Sequence, residues 1–141
     1  MKKKIANGEF LEHNLLAGNY YGTQFKHLLP LLKKYDVVVS QFDVNGKKTL
    51  DKKGIPHLAI FLLPDKLSNL KRRILLRGGM TEEMAEKRML IAKQEIARSK
   101  DYNYRLVNKE GKLSETIQKL AKIIQTELKK WPNLDKKTKI K

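Results

Sequence analysis

One stretch near the start of the chain holds the densest chemistry: Gly8-Glu9-Phe10-Leu11-Glu12-His13-Asn14-Leu15-Leu16-Ala17-Gly18-Asn19-Tyr20-Tyr21-Gly22-Thr23. It sets an acid, Glu12, in an otherwise apolar run, then a pair of tyrosines bracketed by glycines, then a hydroxyl residue. A carboxylate accepts a fork of donors such as the edge of guanine presents, and a tyrosine hydroxyl donates to a phosphate oxygen. Glycine lets the backbone turn sharply and approach a ligand closely. Together these groups suit the capture of a purine monophosphate. Each has a plainer reading. Glu12 suits a solvated edge strand, and Tyr20 and Tyr21 suit a turn that is part core and part surface.

Composition narrows the partners. The 141 residues carry a formal net charge of +16, from 31 Lys and Arg against 15 Asp and Glu. So basic a chain favours nucleotides, nucleic acid or another polyanion, although any single lysine more often solvates a helix face. Cysteine is absent, which excludes disulfides and thiolate metal sites, and His13, His27 and His57 lack metal-ligand spacing. No metal site is expected. No apolar run approaches a membrane span and no signal peptide is visible, so a cytoplasmic setting is expected and a membrane partner is not.

Periodicity supplies the elements that must hold these groups. Lys2 to Asn7 reads as the end of a short helix capped by Gly8, and Phe10 to Gly18 as an extended edge segment. Thr23 is placed to cap a helix from Gln24 to Lys34, which Pro30 should shorten or kink. Val37-Val38-Val39 with Ser40-Gln41-Phe42-Asp43 reads as a buried parallel strand whose C-terminal end carries function. Asn45-Gly46 is expected to turn the chain before a basic helix from Lys47 to Lys53. Ala59 to Leu63 reads as a second buried strand stopped by Pro64. A helix from Leu67 to about Arg77 ends at Gly78-Gly79. Thr81 caps the next, whose apolar stripe is Ala85, Met89, Ala92 and Ile96. Tyr104 to Val107 reads as a short strand. Ser114 is placed to cap a last helix with Ile117, Leu120, Ile124 and Leu128 inward, before a lysine-rich tail from Trp131 that reads as disordered. Strands alternating with helices predict an α/β domain with a parallel sheet.

Over roughly Met1 to Ile124 the chain resembles the guanylate kinases. The likeness rests on several blocks in the family's order: Gly8 to Glu12 with Gly18-Asn19-Tyr20-Tyr21-Gly22-Thr23, then Phe42-Asp43-Val44-Asn45-Gly46, then Ile60 to Pro64. Arg77-Gly78, Thr81-Glu82-Glu83, Lys87-Arg88-Met89, Tyr102-Asn103-Tyr104 and Val107-Asn108 follow. The resemblance implies that Glu12 accepts from the guanine N–H edge, Thr23 bonds the base, and Tyr21 holds the GMP phosphate beside Gly22. It implies that Asp43 lies near the acceptor site. It gives Arg77 and Arg88 the transferring phosphates and Asn108 an adenine-side contact. It also implies ATP and magnesium as cofactors and GMP or GDP as ligand. Phosphoryl transfer suits such a set, because it needs positioning and positive charge more than covalent help. Gly78-Gly79 would be the hinge of a lid. Plainer roles stay open here too: a dipole-stabilised helix end for Arg77, a surface pair with Glu83 or Glu95 for Arg88, and a strand-end turn for Asn108.

The chain departs from that family at telling places. Gly46-Lys47 is followed by Lys48 and Gly111-Lys112 by Leu113, so neither fits the phosphate-cradling G-x-x-x-x-G-K-[ST] run. The family's loop would fall upstream of Met1, together with the central strand that leads into it. Gln41 stands where the family has an acid, and Lys109 replaces another. The expected fold is therefore a P-loop-kinase-like α/β sheet flanked by helices, truncated at the N-terminus, with a small GMP-binding β segment. Its divisions are a GMP-binding segment over 1–35, a core over 36–130 with the lid at 75–90, and a basic tail over 131–141. The expected function is guanine-nucleotide binding without catalysis by this chain alone, with a chain or segment that supplies the missing strand as a partner. The alternatives are a fragment of a working kinase, a protein-binding guanylate-kinase-like module of the scaffold kind, and, ranked last, a basic nucleic-acid binder.

Overall fold

The computed structural model describes residues 2–16, 19–76, 79 and 81–130; the side chains of residues 2, 4, 14–16 and 19–21 stand outside that description. The described chain divides into two units, one reaching to His57 and one beginning at Leu58.

In the first unit, helix α1 (Lys2–Ala6) stops at Gly8, whose φ of 69° is costly for any residue with a Cβ. Strands β1 (Phe10–Leu16) and β2 (Asn19–Gln24) then form an antiparallel hairpin. Phe10 faces Gln24 and Glu12 faces Thr23, so Leu11 is one residue too many for its partner strand. That is a β-bulge, and it explains why two consecutive side chains, Phe10 and Leu11, are both buried where alternation would bury one. Helix α3 (Val44–Lys52) packs on β1 and adds buried Leu50.

Two local expectations, at Thr23 and at Asn45-Gly46, differ from the structure. Thr23 does not cap the next helix; it belongs to β2, and α2 (Phe25–Lys34) starts behind Gln24. Pairing with β1 claims the Thr23 backbone before a cap can form. Helix α2 runs through Pro30, and none of its residues is buried. Asn45-Gly46 is not a turn but the first turn of α3, because the Asp43 carboxylate accepts from the Gly46 amide at 2.7 Å and caps the helix there.

The larger correction concerns Val37 to Phe42. This segment is not a strand, and Val39 is 75 % exposed. A β-branched run becomes a strand only when a neighbour takes its hydrogen bonds, and among the described residues none does.

In the second unit, β3 (Ile60–Pro64) pairs in parallel with β4 (Tyr104–Asn108), Ile60 facing Tyr104 and Pro64 facing Asn108. The crossover that a parallel pair requires is made by α4 (Leu67–Leu76) and α5 (Glu82–Arg98). Thr81 caps α5 as expected, Ala85 and Met89 are buried, and Ala92 and Ile96 are half-buried. Asn103 Oδ1 accepts from the Ala59 amide at 2.8 Å, which carries the ladder one residue beyond β3. Helix α6 (Leu113–Lys130) packs on β4. Ser114 lies inside it rather than capping it, and Ile117 and Leu128, expected inward, are exposed. No helix among the described residues is long and apolar enough to cross a membrane.

One carboxylate ties the two strand ends of this unit together. Asp65, just past β3, accepts from the Lys66 amide at 2.9 Å, from Asn69 Nδ2 at 3.1 Å and from the Glu110 amide, beyond β4, at 3.2 Å. The Asn69 side chain first, then the Glu110 amide, hold its pKa at about 2, below the ordinary 3.8. A depressed carboxyl pKa stabilises the fold above the unfolded value and loses that contribution as pH falls through the folded one. The advantage in melting temperature of the unaltered chain over Asp65→Ala should therefore be full above pH 4 and shrink between 3.8 and about 2. Thermal melts followed by circular dichroism across that range check it.

Candidate functional site

Glu12 and Thr23 meet because the bulge at Leu11 sets them directly across the hairpin. The Thr23 amide donates to Glu12 Oε1 at 2.9 Å. One carboxylate oxygen is thus fixed by backbone, while no described residue engages the other. A carboxylate held this way has a defined direction and keeps acceptor capacity for a ligand. Gly22 faces His13, and its missing side chain is structural: a Cβ there would lie 2.5 Å from the Glu12 carbonyl oxygen and 2.9 Å from Phe10 Cδ1. Backbone of Tyr21 faces Asn14 in the same ladder; its side chain lies outside the described residues. Asp43, in the same unit, spends its carboxylate on the α3 amide end, where the helix dipole favours an anion.

In the second unit Arg88 is exposed on α5, one residue before buried Met89, and no described acid pairs with it; Lys87, not Arg88, takes Glu83. Arg77 lies outside the described residues. Asn108 ends β4, and its Oδ1 accepts from the buried Thr116 hydroxyl at 3.0 Å. Lys71 of α4 reaches across to Glu82 and Glu86 of α5, which ties the two helices together.

Two contributors escaped sequence reasoning. Lys53 donates from Nζ to the Phe10 and Leu11 carbonyls, at 3.0 and 2.8 Å, and the ammonium stands 5.3 Å from the Phe25 ring centre. In the sequence it is one lysine in a basic run and carries no sign of this role. Asp65 likewise reads as a loop acid after a proline; only strand pairing brings Glu110 to it.

A family model described as guanylate kinase matches residues 1–127. The chain belongs to the guanylate kinase family. A guanylate kinase of Prochlorococcus marinus (strain MIT 9312) is 38 % identical over 125 residues, which span 89 % of this chain and 67 % of that one. A guanylate kinase of Clostridium tetani is 35 % identical over 124 residues, which span 88 % and 59 %. The crystal structure of guanylate kinase from Anaplasma phagocytophilum superposes with a TM-score of 0.68 at 25 % identity, covering 90 % of this chain and 60 % of that one. The chain thus spans about two thirds of the length of its guanylate kinase relatives, or less.

Family membership implies ATP and magnesium. Among the described residues there is no group of three or more His, Cys, Asp or Glu placed to hold a metal ion. Asp43 is committed to Gly46, Gln41 is neutral, and the 141 residues contain no G-x-x-x-x-G-K-[ST] run.

Gly22→Ala should loosen this site specifically, since the new methyl would meet the β1 backbone rather than a yielding side chain. The expected loss is about 1–3 kcal/mol of stability, as for overpacking elsewhere. Urea denaturation of the variant beside the unaltered chain checks it.

Proposed function

We propose that this chain receives a guanine mononucleotide at the β1–β2 hairpin and does not phosphorylate it alone. The observation that carries the reading is the Glu12 carboxylate, anchored on one oxygen by the Thr23 amide and unengaged on the other by any described residue. Guanine offers N1–H and the exocyclic amine side by side, and a carboxylate is the natural acceptor for both. Thr23 presents its hydroxyl from the same ladder position, and Tyr21 takes the phosphate. Arg77 and Arg88 are the cations that would face a transferring phosphoryl group, and Asn108 the contact on the adenine side. Transfer itself needs a donor phosphate held in line, and the sequence has no G-x-x-x-x-G-K-[ST] run to hold it.

The same reading gives the chain a partner. Within the described residues β3 pairs only with β4, so its second edge keeps free N–H and C=O groups, beside exposed Leu62. A parallel sheet is ordinarily covered on both faces. A segment equivalent to the third of its relatives that this chain does not span would pair there and bring the phosphate loop with it.

Isothermal titration with GMP, and with inosine monophosphate, which lacks the exocyclic amine, tests the binding. GMP should bind more tightly, and Glu12→Gln should weaken it by about 10- to 100-fold, the loss of one charge-assisted hydrogen bond. No heat with GMP or GDP would favour the scaffold-like, protein-binding alternative. In a coupled assay with ATP and magnesium the purified chain should turn over no GMP. Turnover that Arg88→Ala abolished would overturn the claim that it is inactive alone.

A further inference from the structure

We infer that Lys53 is the positioning residue for base recognition: it holds the β1 bulge that sets Glu12 opposite Thr23. This rests on the reading of Glu12 as the base acceptor and names what makes that acceptor possible. A bulge disrupts the ladder at its extra residue. Here the carbonyls of Phe10 and Leu11, at that point, both accept from the Lys53 ammonium, at 3.0 and 2.8 Å, immediately before Glu12 in the chain. Lys53 is itself fixed. It forms the C-terminal cap of α3, its amide donating to the Thr49 carbonyl, and its ammonium lies over the Phe25 ring at 5.3 Å. The Phe25 amide in turn donates to the Glu9 carbonyl at 3.0 Å, on the other side of the bulge.

The consequence is geometric. Without a cation under the two carbonyls, β1 gains by relaxing to a regular register. A slip of one residue turns every side chain to the opposite face. Glu12 would then leave Thr23, and the carboxylate would lose both its anchor and its direction. Lys53 therefore acts on selectivity through Glu12 and not by touching the nucleotide.

The test uses the full chain and the ratio of GMP to inosine monophosphate affinity, read by titration calorimetry. Lys53→Met keeps the apolar stem and removes the donors. It should weaken GMP about tenfold and inosine monophosphate, which keeps N1–H but has no exocyclic amine, by less, so the ratio falls toward one. Lys53→Arg, which keeps charge and donors, should restore most of the ratio. A merely structural lysine would lower melting temperature without moving the ratio. Should Lys53→Met fail to fold, the ratio is read on Lys53→Gln, which retains a donor for one carbonyl. An unchanged ratio in the folded variant, with Glu12→Gln still lowering it, overturns the role of Lys53 and leaves the Glu12 reading standing. An unaltered chain that does not prefer GMP, or a Glu12→Gln variant that keeps the preference, overturns both.

Discussion

The direction of the Glu12 carboxylate in the first unit depends on one hydrogen bond, from the Thr23 amide to its Oε1. In a regular hairpin each backbone amide is either paired across the ladder or turned to water. The extra residue at Leu11 changes that. It buries two neighbouring apolar side chains, shifts the register by one on β1 only, and leaves a β2 amide facing a carboxylate. A defect in the sheet thus becomes a fixed acceptor. The helix that follows Asp43 supports it from below, through Leu50 in the core and Lys53 at the carbonyls.

Much of this was legible in the sequence, and the limits have physical causes. The helix stop at Gly8, the hairpin strand from Phe10, the strand at Ile60 and the cap at Thr81 rest on local chemistry, which one chain carries in full. Glu12 and Thr23 stood out because an acid in an apolar run and a hydroxyl beside glycine are unusual neighbours. Their direct bond was not legible, since a one-residue bulge has no signature in Phe10-Leu11-Glu12. Lys53 was invisible for a related reason. A lysine that bonds two carbonyls 42 and 43 positions away looks, in sequence, like any solvated lysine. Asn45-Gly46 misled because Asp43 was read only as a site residue, when it also caps the helix that contains that pair.

The failure at Val37 to Phe42 has a different origin and says more about the protein. The residues favour a strand as strongly as any in the chain, yet the segment is irregular and Val39 is exposed. Propensity describes how well a side chain fits a pleated, half-buried surface; it does not supply the surface. β3 shows the same lack from the other side, paired on one edge and exposing Leu62. Exposed Ile117 and Leu128 on α6 repeat it in a helix.

In the second unit the uncovered surfaces are of one kind: among the described residues β3 pairs on one edge only and exposes Leu62, and α6 exposes Ile117 and Leu128. A parallel sheet is ordinarily covered on both faces, so each is surface that a further layer would bury. The β1–β2 hairpin is different. Its ladder, its buried Phe10 and Leu11 and its lysine support all lie before His57. The Glu12–Thr23 pair and the lysine that braces its bulge are thus built from local contacts of the first unit alone, while β3 in the second unit pairs on one edge only among the described residues.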